Sequence, residues 1–277
     1  MKQSQRTHRS RKPSAIAGIA RAGAAPRLAV LLAALLAAVL GSGCAMADAP
    51  GATPAAHPVA APLPDYAPVI ASALRTDEDR KSDERRKPLE LLRFAQVQPG
   101  MQVLDVSAGG GYTTQLLALA VGDRGSVWAQ MPKVRPGWEK RMAEHPQANI
   151  HALVRPFDDP YPADAPRLDL ITFVLNYHDV VNTPTDRKVM NRRLFEALRP
   201  GGHLVVIDHA AAPGAGLTQT NTLHRIAEDA VLQELHQAGF ELEERSGFLA
   251  APADPHTQAF WDLQGPSDRF ALRLRRP

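Results

Sequence analysis

The stretch from Pro99 to Thr114 constrains this chain more than any other part of it. Pro99-Gly100 is a turn, and Gln102-Val103-Leu104-Asp105-Val106 is a short apolar run carrying one acid near its end, the pattern of a buried strand. Ser107-Ala108-Gly109-Gly110-Gly111 follows, and the next residues, through Thr114 to Gln115-Leu116-Leu117-Ala118-Leu119-Ala120, read as a helix. Strand, glycine turn and helix open a doubly wound α/β domain, in which the turn lies against a ligand at the strand end. Glycine suits that turn because a Cβ would stand between backbone and ligand.

Spacing separates the ligand classes. A phosphate loop needs Lys-Ser/Thr after its last glycine, and Gly111 is followed by Tyr112-Thr113. A dinucleotide fingerprint counted from Gly109 and Gly111 needs a small residue where Thr114 stands. The remaining pattern, an acid at the strand end and then small-x-Gly-x-Gly, is that of class I S-adenosylmethionine-dependent methyltransferases. Asp105, Ser107, Gly109 and Gly111 fall on it, with Ser107 in place of the usual first glycine.

Beyond the turn, apolar runs and helical patterns alternate. Strands are expected at Gln102–Val106, Ser126–Met131, Ile150–Val154, Leu168–Leu175 and His203–Asp208, and helices at Pro88–Ala95, Thr114–Val121, Gly137–Glu144, Thr185–Leu198 and Ile226–Ala238. A hairpin-like ending, Phe240–Ser246 and Arg269–Leu274, closes the chain. This alternation predicts an α/β domain with a mostly parallel sheet and helices on both faces. The densely charged run Arg75 to Lys87 reads as a solvated helix face or loop. No internal repeat and no second core is visible, so one domain, 69–277, is expected behind an Ala/Pro-rich tether, 48–68, and a leading segment, 1–47.

The whole body, from about Arg80 to Pro277, resembles a bacterial family of predicted class I methyltransferases, many with export signals. The likeness rests on Arg86-Lys87-Pro88, Pro99-Gly100-Met101, Gly109-Gly110-Gly111-Tyr112-Thr113, Asn176-Tyr177-His178-Asp179, Arg199-Pro200-Gly201-Gly202, Thr222-Leu223-His224-Arg225-Ile226 and Ser267-Asp268-Arg269-Phe270. It implies a Rossmann-like, seven-stranded sheet with a C-terminal antiparallel hairpin, and S-adenosylmethionine as cofactor. It also implies that Asp105 and the turn Ser107, Ala108, Gly109, Gly111 and Tyr112 receive the cofactor's methionine end, with Asn176 nearby. Gln130 stands where such enzymes usually place the acid that grips the ribose. An amide there lacks the charge-assisted bidentate acceptor. Asp158, with Phe157, stands where an adenine contact is expected.

The leading segment has a targeting pattern. Seven basic residues and no acid precede Leu28, an apolar run rich in Leu and Ala follows to Leu40, and small residues come next. Ala45-Met46-Ala47 fits ordinary signal cleavage; Leu40-Gly41-Ser42-Gly43-Cys44 resembles a lipobox, with Cys44 as the lipid-bearing residue. Both readings make the protein exported, either periplasmic or anchored to the bacterial envelope, with no membrane contact beyond that anchor. Those seven residues also account for the formal charge of +3: the rest of the chain carries 25 basic against 29 acidic residues, which gives no footprint for nucleic acid. Cys44 is the single cysteine, so disulfides, thiolate metal sites and cysteine nucleophiles are excluded from the body.

After the fourth strand, Asn176-Tyr177-His178-Asp179 lacks the prolines of enzymes that methylate base or amide nitrogens. A small-molecule acceptor remains, needing alignment and at most a base. His178 and His224, with Tyr177, are the expected catalytic residues, because the topology brings them to the carboxyl edge of the sheet. Asp179, Asp208, His209 and His224 lack compact ligand spacing, and no metal is expected. The rival reading is an envelope protein that retains the fold without catalysis, favoured by Ser107 and Gln130.

Overall fold

The computed structural model describes residues 62–277. The leading segment 1–47, Cys44 and the tether up to residue 61 lie outside the described residues. Five strands run parallel: β1 (Gln102–Val106), β2 (Ser126–Met131), β3 (Ile150–Val154), β4 (Leu168–Val174) and β5 (Leu198–His209). β6 (Glu241–Ser246) and β7 (Arg269–Arg275) complete one sheet in the order β3-β2-β1-β4-β5-β7-β6, with β7 antiparallel to both neighbours. The helices are α1 (Ala67–Ala71), α2 (Asp77–Arg86), α3 (Pro88–Phe94), α4 (Tyr112–Val121), α5 (Pro136–Glu144), α6 (Tyr177–Val181), α7 (Arg187–Ala197) and α8 (Glu228–Ala238). This is the seven-stranded, mostly parallel arrangement that the alternation and the family likeness imply.

Period-two alternation in the central strands builds both cores. Leu104, Val106, Ile171, Phe173, Leu204 and Val206 face one way, onto α7 and α8 through Leu194, Val231 and Leu235. Val103, Leu170, Val205 and Ile207 face the other way, onto α4 and α3 through Leu116, Leu117, Leu91 and Leu92. Because α4 is covered by the sheet on one side and by α1 and α3 on the other, it is buried almost all round, and from Leu116 to Val121 every residue is apolar. Asp105 and Thr172 belong to the α4 face, and they carry the polar interruption of that core.

Three stretches depart from the expectations. The charged run folds as α2, closed at its start by a capping box between Thr76 and Asp79, with acids in the first turn and arginines in the last. It is not a solvated face: Arg75 and Asp79 are buried. The helix has no apolar stripe and is held by ion pairs, Arg75 to Asp83 and Asp79 to Arg141. Second, β6 and β7 pair as a hairpin would, yet residues 247–268 separate them in a long excursion over the carboxyl edge. Third, Tyr66, assigned to the tether by composition, is buried, and its hydroxyl donates to the Val97 carbonyl at 2.6 Å.

Candidate functional site

The strand order reverses between β1 and β4, and a cavity of about 420 Å3 lies above that switch point. Its floor is Asp105, Ser107, Ala108, Gly109, Gly110, Leu175 and Asn176; its roof is Glu78, Asp79, Ser82 and Arg86 of α2, with Arg135 and Arg141 at the side. The turn reaches this position through left-handed backbone at Ser107 (φ 58°) and Gly109 (φ 59°). Nothing stands within 4 Å of a Cβ built at Gly110, and at Gly109 only the Ser107 carbonyl does, so the turn's upper surface is open. Ser107 holds a conformation that favours glycine, and two bonds offset that cost: its amide donates to Gln130 Oε1 at 3.0 Å and its hydroxyl to Asn176 Oδ1 at 2.6 Å.

The other expected cofactor residues divide. Asp105 is buried against the cavity floor, accepting from Thr114 Oγ1 at 2.6 Å and Thr172 Oγ1 at 2.9 Å. Burial raises its pKa to about 6, and those hydroxyls and the Arg86 charge limit the rise. Tyr112 lines the cavity and bonds Asp83 of α2 at 2.8 Å. Gly111 does not line it. A Cβ there would meet Arg141 Cδ at 2.9 Å and Trp138 Cε3 at 3.2 Å, so this glycine serves the close approach of α5. Gln130 is fully buried, and its amide nitrogen donates to the Arg155 carbonyl at 2.8 Å while its oxygen holds Ser107. It braces the turn from behind and has no end free for a ribose, which corrects its expected role. Asp158 lies outside the cavity lining, and its neighbour Phe157 packs on Phe173 in the core.

A second cavity, of about 360 Å3, adjoins the first and shares Ser82, Arg86, Leu175 and Asp179 with it. His178, His209, His224, Arg85, Arg269 and the aromatic pair Phe260 and Trp261 complete its wall. His178 is the centre of a polar chain: Nδ1 meets Asp208 Oδ1 at 2.6 Å, and Nε2 lies 3.4 Å from Asp179 Oδ1. Burial pulls its pKa down, but the hydrogen bonds and charges of Asp179 and Asp208 outweigh that and raise it to about 9. At neutral pH His178 is therefore a cation and cannot serve as a general base. His224 shares the Asp179 carboxylate with it. Its Nδ1 meets Asp179 Oδ1 at 2.9 Å, and its Nε2 has no partner among the described residues.

Tyr177 turns away from both cavities. It is wholly buried, with its hydroxyl donating to Glu234 Oε2 at 2.8 Å and accepting from Asn191 Nδ2 at 2.7 Å, so the catalytic role expected of it is withdrawn. His209 is held by Ser267 Oγ at 2.8 Å, and burial with the charges of Arg269 and His178 lowers its pKa to about 2. Donor atoms of His178, Asp179 and His224 lie within 4.8 Å of one another, close enough to hold a metal ion. They are already paired with each other, His178 is charged, and Arg85, Arg86 and Arg269 face the same cavity; that field opposes a cation.

Sequence reasoning missed the roof of the first cavity and the far wall of the second. Arg141 is the clearest omission: it joins α5 to Gly110 O at 2.7 Å, to Asp79 by two bonds of 2.7 Å, and to Gln115. Strain offers one retrospective signal: of six non-glycine residues with positive φ among the described residues, Ser107, Leu175 and His224 line these cavities.

Comparison with known proteins agrees with this geometry. Residues 85–209 match the family model of protein-L-isoaspartate(D-aspartate) O-methyltransferase. The ubiquinone/menaquinone biosynthesis C-methyltransferase UbiE of Shewanella frigidimarina is 31% identical over 127 residues, covering 42% of this chain and 46% of that protein. The corresponding enzyme of Shewanella woodyi is 33% identical over 129 residues, with the same coverage. The chain thus spans about half the length of the curated relatives it matches. A S-adenosylmethionine-dependent methyltransferase of Aquifex aeolicus superposes with a TM-score of 0.53 at 18% identity, over 73% of this chain and 100% of that one. The [4+2]-cyclase SpnF superposes with a TM-score of 0.51 at 14% identity, over 70% of this chain and 80% of that one. Residues 85–209 are thus similar to methyltransferase sequences, and the described chain has the fold of the S-adenosylmethionine-dependent methyltransferase on which it superposes. The cyclase shows that the fold alone does not fix the reaction.

Proposed function

We propose that this protein transfers a methyl group from S-adenosylmethionine to a small molecule, with the cofactor in the first cavity and the acceptor in the second. The observation that carries this reading is the open surface over Gly109 and Gly110 at the β1/β4 switch point, walled by groups of both charges. Asp105 and Glu78 suit an ammonium and Arg86 suits a carboxylate, so the residues fit the zwitterionic end of the cofactor. At the ribose the fit rests on no carboxylate, because Gln130 is committed to the backbone. When bound, the cofactor supplies an electrophilic methyl carbon on sulfur, and in-line displacement depends mainly on alignment. The chain's own contribution is to order that meeting: Asn176 and Ser107 fix the floor, α2 covers it from water, and His224, oriented by Asp179, accepts a proton from the acceptor at Nε2.

We place this activity outside the cytoplasm. The support is the basic, apolar and small-residue order of residues 1–47, with Cys44 as the possible anchor point. Such a location requires a supply of the cofactor beyond the membrane, and cell fractionation reads it directly. For the reaction, purified protein is incubated with methyl-labelled S-adenosylmethionine and a small-molecule extract of the envelope. Label is expected to enter a low-molecular-mass product with the unmodified protein and to fall at least about tenfold with Gly109→Val, whose side chain fills the cavity floor. Equal transfer by both proteins would contradict the assignment.

A further inference from the structure

The second cavity contains a charge arrangement that the methyl-transfer reading does not require. Arg269 is only 8% exposed, yet it has no carboxylate partner among the described residues. Its Nε donates to Ser267 Oγ at 3.2 Å and one terminal nitrogen to the Arg85 carbonyl at 2.7 Å, which orients the guanidinium without neutralising it. Arg86, on the adjoining wall, makes no side-chain hydrogen bond or ion pair among the described residues, and its closest partner is the Tyr112 ring at 4.7 Å. Burial, followed by the charges of Arg86 and Arg85, lowers the Arg269 pKa to about 10. The one carboxylate lining this cavity, Asp179, is occupied by His178 and His224.

Buried guanidiniums are ordinarily paired, because an uncompensated buried charge is costly. Elsewhere among the described residues the buried guanidiniums are paired. Arg225, fully buried, meets Asp254 at 2.8 Å, and Arg75 meets Asp83 at 2.5 Å. The buried exception, Arg269, and the half-buried, unpaired Arg86 face one cavity together with the cationic His178. Two aromatic side chains line the same cavity. Phe260 stacks on His209 with centroids 4.0 Å apart and planes 6° from parallel, and Trp261, 55% exposed, stands edge-on to Phe260 at 4.9 Å with its plane turned by 75°. A large exposed indole at the mouth of a cationic pocket is a surface for a planar group.

We propose that the second cavity is an acceptor subsite for a small planar organic acid, its anion held by Arg269 and Arg86 and its ring laid against the exposed indole of Trp261, with Phe260 beside it. This deepens the methyl-transfer reading and rests on it for the word acceptor; the acid-binding site itself does not. A volume of about 360 Å3 suits a compound of one or two rings. Arg86 faces both cavities, so it also links the anion of one ligand to that of the other.

The test is calorimetry on the full chain with 4-hydroxybenzoate and its neutral isostere 4-hydroxybenzamide, each with and without S-adenosylhomocysteine. The acid is expected to bind at least about tenfold more tightly than the amide. Arg269→Gln should bring the two within about twofold, and Arg86→Gln, which removes no hydrogen bond of the fold, should narrow the gap even if Arg269→Gln does not fold. Trp261→Ala should weaken acid and amide alike. Equal affinities in the unmodified protein, no binding of either probe at millimolar concentration, or an acid preference that survives both arginine substitutions would overturn the proposal. Acid preference without any binding of S-adenosylhomocysteine would uphold the anion subsite and overturn the methyltransferase reading. Binding of S-adenosylhomocysteine with equal probe affinities would do the reverse.

Discussion

Asp105 is asked to be both a core residue and a ligand-facing carboxylate, and the two demands conflict. Its folded pKa, about 6, stands above the ordinary value of 3.8, so the stability tied to its neutral form is present at low pH and lost as pH rises through 6. The ionised form therefore costs the empty domain up to about 3 kcal/mol at neutral pH. Asp105→Asn is expected to stabilise the empty protein by about 1–2 kcal/mol near pH 8, to do little near pH 4, and to weaken cofactor binding about tenfold. Denaturant melts at the two pH values check the first part. His178 has the opposite sense: its raised pKa contributes stability below its ordinary value of 6.5, lost as pH rises through about 9. NMR titration of its ring should show that value, and Asp208→Asn should lower it by about one to two units. A ring titrating near 6.5 in the unmodified protein would remove the cationic His178 from the account. Sequence placed His178 and His224 together at the right edge but could not assign their protonation, because Asp208 and Asp179 set it through contacts of 2.6 to 3.4 Å.

Helix α2 is the element whose meaning changes most between sequence and structure. A run with alternating charge and no apolar stripe has every mark of a solvated surface, and its partners are distant in the chain: Arg141 lies 62 residues from Asp79, and Tyr112 lies 29 from Asp83. No local pattern encodes such pairings. From the sequence, helix and loop stay open for this run; Thr76 and Asp79, which cap the helix, are the local signal for it, and its docking has none. Since Asp79 and Arg141 are nearly buried, at 5% and 11% side-chain exposure, loss of one partner strands the other. Asp79→Ala is expected to release α2 while the sheet remains folded. Amide exchange over residues 77–86 should quicken by at least about tenfold, with unchanged protection in β1 and β4. Unchanged exchange over that helix would show that Arg75 and Tyr112 hold it without Asp79.

Across the whole molecule, the sheet was readable because apolar strands, helical runs and the turns at Pro99-Gly100 and Arg199-Pro200 carry local signals. The turn from Asp105 to Gly111 likewise placed the first cavity. The second cavity is assembled from segments that share no pattern: the end of α2, the start of α6, the loop before α8 and the excursion between β6 and β7, which brings Phe260, Trp261 and Arg269 to the carboxyl edge. Only the folded chain shows that these meet, or that two guanidiniums stand there without a carboxylate. The proposed methyl transfer rests on the turn over Gly109 and Gly110 accepting S-adenosylmethionine. In a calorimetric titration of the folded protein the cofactor is expected to bind saturably, with a Kd of roughly 1–100 μM, weakened at least about tenfold by Gly109→Val. No heat at millimolar cofactor, from a protein shown to be folded, would contradict it.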